Sequence, residues 1–341
     1  MHQLLQDRLA LWITKAAQAN SIHIKNIKRM SGGAIQENWL IQLVVKGGPY
    51  SGAWDAVVRT DASSTIAFSH DRANEFAILK TVHHAGLMVP MPLWLCSDLS
   101  ILGKPFYIMK CASGSADPHS MVRGEISPDL DRIVIQLGHQ LAQLHQIQLP
   151  QTDLPFLTVP KQPALDLCQL YRASLDLVQI PPRPILEWSL HWLETHAPAS
   201  DRVVLIHRDF RTGNFLADKE GLTAILDWEF AAWGDPYEDL GWFLCKSWRF
   251  GRPDRAAGGL AAGDVFIRAY EDAAKIALDS HLLNYWKVMA LMRWSVIAIL
   301  QGERHWSGKE ASLELVITAR RLAEAEADLL NLLKNIDKKL N

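Results

Sequence analysis

Two short apolar runs in the second half of the chain, VVLIH ending at His207 and LTAIL ending at Leu226, flank a polar stretch. Runs of this length bounded by polar residues read as buried strands. The first delivers His207-Arg208-Asp209 to its end, Asn214 follows five residues after Asp209, and the second delivers Asp227. Taken as two strands joined by a short turn, they bring all three side chains to one end. A single Asp after a strand is usually a turn or cap residue. This ordered set is more specific: a carboxylate able to accept a hydroxyl proton stands beside an Asn/Asp pair offering oxygen to a hard cation. Magnesium takes oxygen ligands and bridges one or two carboxylates to substrate phosphates, which is what phosphoryl transfer to an alcohol needs. Any fold for this chain must let those two strand ends meet.

At 341 residues the chain is long enough for two compact lobes. The first 110 residues alternate as strands. A helix is predicted near residues 3–19, then strands in SIHIKNIKRM, ENWLIQLVVK and WDAVVRT. A helix follows from Asp71 to His84, with Phe76, Ile78, Leu79 and Val82 as its apolar face, and then strands in VPMPLWLCSD and KPFYIMKCA. From about residue 117 the pattern turns helical, in IVIQLGHQLAQLHQI, in PILEWSLHWLETH, and over 265–276, 282–301 and 313–333. Pro181, Pro182 and Pro184 read as a rigid break between helices.

Lys and Arg number 35 against 37 Asp and Glu, for a net charge of −2. That balance argues against nucleic acid or an anionic membrane as partner. The four cysteines are far apart and unpaired in sequence, which suits a reducing cytoplasm. The N-terminal MHQLLQDRLALWITKAAQ carries Asp7 and Arg8 ahead of a short apolar stretch and does not read as a signal peptide. The longest apolar stretch, 288–300, is interrupted by Arg293 and is too short to span a bilayer.

LIHRDFRTGNFLADKEGLTAILDWEFAAWGDPYEDLGWF resembles the aminoglycoside phosphotransferase/choline kinase-like family, small-molecule kinases with a protein-kinase-like fold. LDWEFAAWGDPYEDLGW is particularly similar to the branch that includes the phosphotransferase domains associated with acyl-CoA dehydrogenases. The similarity runs from Ser31 to about Gly308. It implies an α+β bilobal fold, with a five-stranded antiparallel N-lobe and one main helix over 1–110. A mostly helical C-lobe over 111–341 would carry the catalytic loop and acceptor site. It further implies ATP and Mg2+ as cofactors, Asp209 as catalytic base, Asn214 and Asp227 as magnesium ligands, and a small-molecule hydroxyl as acceptor.

By the same resemblance, RMSGGAIQENW would be a hairpin over the phosphates, with Ser31, Gly32 and Gly33 letting backbone N–H groups approach. The third strand ends in Arg59, where kinases more often carry Lys, and the following helix offers Glu75 to hold it. Arginine keeps the charge but is planar and forked, so its geometry at phosphate differs. Arg211 falls where protein kinases place a lysine that touches the transferred phosphate. YIMKC, with Met109 and Cys111, resembles the hinge that pairs adenine through backbone groups. Asp235 and Asp239 read as braces or helix caps.

Two other functions fit parts of this pattern. A protein kinase is disfavoured by DWE in place of DFG and by the short path from Asp227 to GDPYEDLGW, which leaves no room for an activation loop. A nucleotide-binding regulator without turnover is disfavoured by the presence of all three polar residues. For the acceptor, Glu271, Asp272 and Glu303 would suit a polycation such as an aminoglycoside. Arg293, Arg304 and His305 would suit a hydroxyacyl or other anionic molecule.

Overall fold

A computed structural model describes residues 3–30, 36–61, 69–127 and 129–340. Ser31, Gly32 and Gly33 lie outside the described residues. The N-terminal lobe contains α1 (Gln3–Ala16), β1 (Ser21–Arg29), β2 (Gln36–Lys46), β3 (Gly52–Asp61), α2 (Arg72–His84), β4 (Pro92–Cys96), the one-turn α3 (Leu99–Leu102) and β5 (Phe106–Lys110). The five strands form one antiparallel sheet in the order β1-β2-β3-β5-β4.

The alternation that predicts β2 is that of a sheet with one covered face: Ile41, Leu43 and Val45 are buried. In the central strand β3 the alternation fails, and Ala56 through Thr60 are all buried. Both faces of β3 are covered there. On one face α1 contributes Leu9 and Ile13 to a core with Ile41, Val58, Phe106 and Ile108. On the other, Phe76 of α2 stands against Tyr107, their ring centroids 5.6 Å apart. Phe76, Ile78, Leu79 and Val82 continue into the core of the second lobe.

The second lobe contains α4 (Pro118–Val122), α5 (Leu130–Leu144), α6 (Pro163–Asp176), α7 (Pro184–Thr195), β6 (Val204–Ile206), β7 (Phe215–Asp218), β8 (Gly221–Ile225) and β9 (Ala232–Gly234). It continues through α8 (Pro236–Phe243), a 3-10 turn over Lys246–Trp248, α9 (Gly263–Ala274), α10 (Ser280–Trp306), α11 (Leu313–Arg320) and α12 (Leu322–Leu340). The fold is therefore the bilobal kinase-like α+β architecture. Its lower core joins α6, α7, α10 and α12 around Trp286, Leu190 and Leu329. Among the described residues no helix is long and apolar enough to cross a membrane.

Three local expectations need correction. The two apolar runs are not joined by a short turn. The stretch between them holds a strand of its own, so β7 pairs with β8 while β6 pairs with β9. The ends still meet because the Leu226 N–H donates to the Asn214 carbonyl at 2.8 Å. The C-terminal stretch 313–333 is two helices that break at Arg321. The buried face of the second helix is Leu322, Ala325, Glu326, Leu329 and Leu333, with Leu330 exposed. The helix α6 is not among the expected helices: Gln162, at its N-cap, makes no side-chain cap bond, and Pro163 and Asp166 in its first turn are the signals that mark its start.

Candidate active site

Asp209 lies three residues past the end of β6, and the backbone leading to it is held by a buried carboxylate. Asp239 of α8 is fully buried and accepts from the N–H groups of His207 and Arg208, each at 2.7 Å. Arg208 adopts φ +63°, a strained value for a side-chain-bearing residue. Those two hydrogen bonds help hold it. The neutral His145, whose pKa burial pushes down, lies 3.3 Å from the same carboxylate through Nε2. Its Nδ1 accepts from the Tyr270 hydroxyl at 2.9 Å. His207 spends both ring nitrogens on the backbone: Nδ1 accepts from the Asp209 N–H and Nε2 donates to Leu226 O. Its ring therefore braces the loop and is not available to take a proton.

The Asp209 carboxylate faces upward and is almost buried. Arg211 Nε lies 3.2 Å from both of its oxygens, and Trp242 Nε1 donates to Oδ1 at 3.0 Å. Asn214 Nδ2 donates to Oδ2 at 2.5 Å and to the Asp209 carbonyl at 3.0 Å. Asp209 and Asn214 thus form one hydrogen-bonded unit. Asp227 follows β8 at φ +68°. Burial alone would push its carboxyl up, but Arg59, then Arg211 and His207, hold it below the ordinary carboxylate value.

Arg59 reaches Asp227 from the other lobe. Its NH2 group lies 2.8 Å from Glu75 Oε1 and 2.5 Å from Asp227 Oδ1, while Nε donates to Glu75 Oε2 at 3.2 Å. The strand cation, the helix carboxylate and the C-lobe aspartate are therefore in one ion-paired row. Glu75 is also paired with Arg72, which in turn lies 2.9 Å from Asp61. Glu229, two residues past Asp227, is pushed up to about 8 by burial and by Asp227, and accepts from Gln36 of β2. His70 adds two more ties, from its N–H to Glu229 O and from Nε2 to Ala231 O.

Residues 26–276 match the model of the phosphotransferase enzyme family. The chain belongs to this family. Acyl-CoA dehydrogenase family member 10 of Mus musculus is 30% identical over 289 residues, which is 80% of this chain and 26% of that protein. The chain thus spans about a quarter of that relative's length. A structure described as a candidate aminoglycoside phosphotransferase from Ralstonia eutropha JMP134 superposes with a TM-score of 0.78 at 20% identity. It covers 97% of this chain and 98% of that one. The streptomycin–ATP–APH(2")-IIa ternary complex superposes with a TM-score of 0.60 at 16% identity, covering 97% of each chain.

Within this family member the hinge region has a definite hydrogen-bond pattern. Met109 lies in β5 opposite Val57. The Cys111 N–H donates to Asp55 O at 3.0 Å and the Lys110 N–H to Met91 O at 2.8 Å. Both N–H groups are therefore committed within the sheet. Of the six residues set out for the acceptor side, Arg293 reaches the loop that carries Asp209, donating to the Arg208 carbonyl. Glu271 instead accepts from the Leu278 N–H, while Glu303 and Arg304 pair with Lys309 and Glu310.

Three residues at the site lie outside the motif, Arg72, Gln36 and Arg293, and a fourth, Trp242, lies within it but carries no expected role. Arg72 sits beside the N-cap Asp71 and looks like a surface charge until its 2% exposure is seen. Its spacing of three from Glu75 is the one trace of the pairing. Trp242 sits between Gly241 and Phe243 at the apolar end of α8, where an indole reads as core.

Proposed function

We propose that this chain transfers the γ-phosphoryl group of ATP, with magnesium, to a hydroxyl of a small molecule. The observation that carries it is the row running from Glu75 through Arg59 to Asp227, across the lobes from the Asp209–Asn214 pair. The family match and the ATP held by the APH(2")-IIa structure support the same reading. Residues 1–110 supply the nucleotide side and 111–341 the acceptor side. The unpaired thiols of Cys96, Cys111, Cys168 and Cys245 suit a reducing cytoplasm.

The donor set fits magnesium. Asn214 commits Nδ2 to Asp209, leaving Oδ1, and Asp227 meets Arg59 with Oδ1, leaving Oδ2. Two oxygen donors with no thiolate or imidazole suit a hard cation whose other ligands are phosphate and water. Bound there, the ion would neutralise charge on the phosphates.

Asp209 orients the acceptor hydroxyl and takes its proton as the oxygen attacks phosphorus. Arg211, beside it, offers a fixed positive charge where the transferred phosphoryl group passes. Arg59, held by Glu75, meets the α- and β-phosphates, with Ser31, Gly32 and Gly33 covering them. At the hinge, Met109 and Cys111 border the base. With the Lys110 and Cys111 N–H groups committed, the next N–H, of Ala112, is the donor for adenine.

The test is incubation of the chain with Mg·ATP and a panel of hydroxylated small molecules, aminoglycosides and hydroxy acids included, followed by mass spectrometry for phosphorylated product. Asp209→Asn should bind ATP as the parent does while turnover falls by ~10²–10⁴. Undiminished turnover in that variant refutes the mechanism. Nucleotide binding without product from any acceptor would instead make the chain a regulator.

A further inference from the structure

We infer that Trp242 is the positioning residue of the catalytic carboxylate and that Arg293 is the clamp that holds Trp242. The inference rests on the reading of Asp209 as the base. Three side chains donate to the Asp209 carboxylate: Arg211, Asn214 and Trp242. Arg211 and Asn214 each have a second task, at the transferred phosphate and at the cation, so their hydrogen bonds to Asp209 can change as substrates bind. Trp242 has no second task. Its indole has one donor and no charge, its ring is 1% exposed, and it comes from the helix α8 rather than the loop.

The surrounding packing leaves that indole little freedom. The Arg293 guanidinium lies 4.3 Å over its ring, in the range of a cation–π contact. The same guanidinium donates to the carbonyl of Arg208, the residue before Asp209. One cation from α10 therefore holds both the loop peptide and the ring that sets the carboxylate's angle. On another side the Trp248 ring meets Trp242 edge-on, with centroids 5.1 Å apart. The preceding Gly241 makes the placement possible: a Cβ there would come within 2.5 Å of the Trp286 carbonyl in α10. Only glycine lets α8 approach α10 this closely, and that approach brings Trp242 and Arg293 into contact. The result is a rigid, uncharged donor that fixes one lone pair on Oδ1 and leaves the remainder of the carboxylate to the acceptor hydroxyl.

Trp242→Phe keeps an aromatic ring under Arg293 and deletes the N–H. Phosphate release from Mg·ATP, with water as acceptor, should fall about tenfold to a hundredfold, the effect of one hydrogen bond to an ionised group. KM for ATP should stay within about twofold, since nothing on the nucleotide side changes. In an Asp209→Asn background the same substitution should cause no further loss, because Trp242 acts only through that carboxylate. A Trp242→Phe rate equal to the parent's overturns the proposal, as does a full additional loss in the Asp209→Asn background. An Asp209→Asn chain with the parent's rate overturns the phosphotransfer reading instead. A second measurement does not depend on the Trp242→Phe chain folding. Of the 13 tryptophans, one indole 1H–15N signal should lie downfield in the parent and move upfield in Asp209→Ala. Indole signals that all stay in place in Asp209→Ala overturn the positioning role.

Discussion

Asp235 caps α8 through its bond from the Tyr237 N–H at 2.9 Å, yet burial pushes its carboxyl up to about 6 from an ordinary 3.8. The hydrogen bonds from Ser200 and Tyr237 oppose that rise without cancelling it, and the neighbouring Glu238 adds to it. A folded pKa above the unfolded one means the folded chain holds the proton longer. The group's contribution to stability is complete below about pH 4 and is lost as pH rises through 6. Above that, ionised Asp235 costs the fold about 3 kcal/mol. Asp235→Asn mimics the protonated acid. Ser200 has one hydrogen but two acceptors, Arg202 O at 3.1 Å and Asp235 Oδ2 at 2.8 Å. With Asn in place, its amide donates to Ser200 Oγ and the serine hydrogen goes to Arg202. Asn caps helices about as well as Asp, and the lost charge–dipole attraction is worth about 0.5 kcal/mol. The net gain at pH 8 is therefore about 2–3 kcal/mol. With an unfolding entropy of about 2.1 cal/mol/K per residue, that is a rise in Tm of about 3–4 °C. Thermal denaturation of both chains at pH 4 and pH 8 measures it, with the gain confined to the higher pH. A variant less stable than the parent at pH 8, or a difference equal at both pH values, would refute the reasoning.

Glu75 is 1% exposed between Arg59 and Arg72. Glu75→Gln leaves two buried guanidinium groups with Asp61 and Asp227 as their remaining partners, so thermal denaturation should show a Tm lower by about 4 °C, from a loss of about 3 kcal/mol. Equal melting of variant and parent would mean the row is held by packing alone. Gly241→Ala gains helix propensity but drives its methyl into α10, and overpacking of this kind costs about 1–3 kcal/mol. Its Tm should fall, and a crystal structure should show α8 displaced from Trp286; a rise in Tm would show that the helices separate freely there.

The parts of the fold that the sequence makes legible are those carried by local pattern. Alternation and short apolar runs bounded by polar residues locate the five strands of the sheet, and the apolar face of Phe76, Ile78, Leu79 and Val82 locates α2. Asp71 is recognisable as its cap and does accept from the Asn74 N–H. What fails is strand pairing and helix interruption. β6 pairs with β9 some 26 residues on, across the intervening β7–β8 hairpin. Nothing local marks that choice, since any of these short apolar runs could pair with another. Arg321 ends α11 without proline or glycine, so no residue type marks the break. Glu326, a charge on the inward face of α12, is buried and faces Arg183 at 3.5 Å.

The site divides along the same line. Asp209, Asn214 and Asp227 are close in sequence, and the Leu226–Asn214 backbone bond brings their segments together although the strands pair otherwise than expected. Arg59 and Asp227 are 168 residues apart, and a strand arginine that satisfies a carboxylate in the opposite lobe has no signature in either segment. Its chemistry nevertheless explains the choice of residue. A lysine has one nitrogen and could grip Glu75 from a single point. The forked guanidinium takes Glu75 with Nε and NH2 and still lays NH2 on Asp227. Gln36 and His70 attach the same segment, 227–231, to the N-lobe. Arginine at this position therefore does two things at once: it satisfies the helix carboxylate of Glu75 and it ties the strand of one lobe to Asp227 of the other. The substitution that looks conservative in sequence, Arg for Lys, changes how the two halves of the site are held in register.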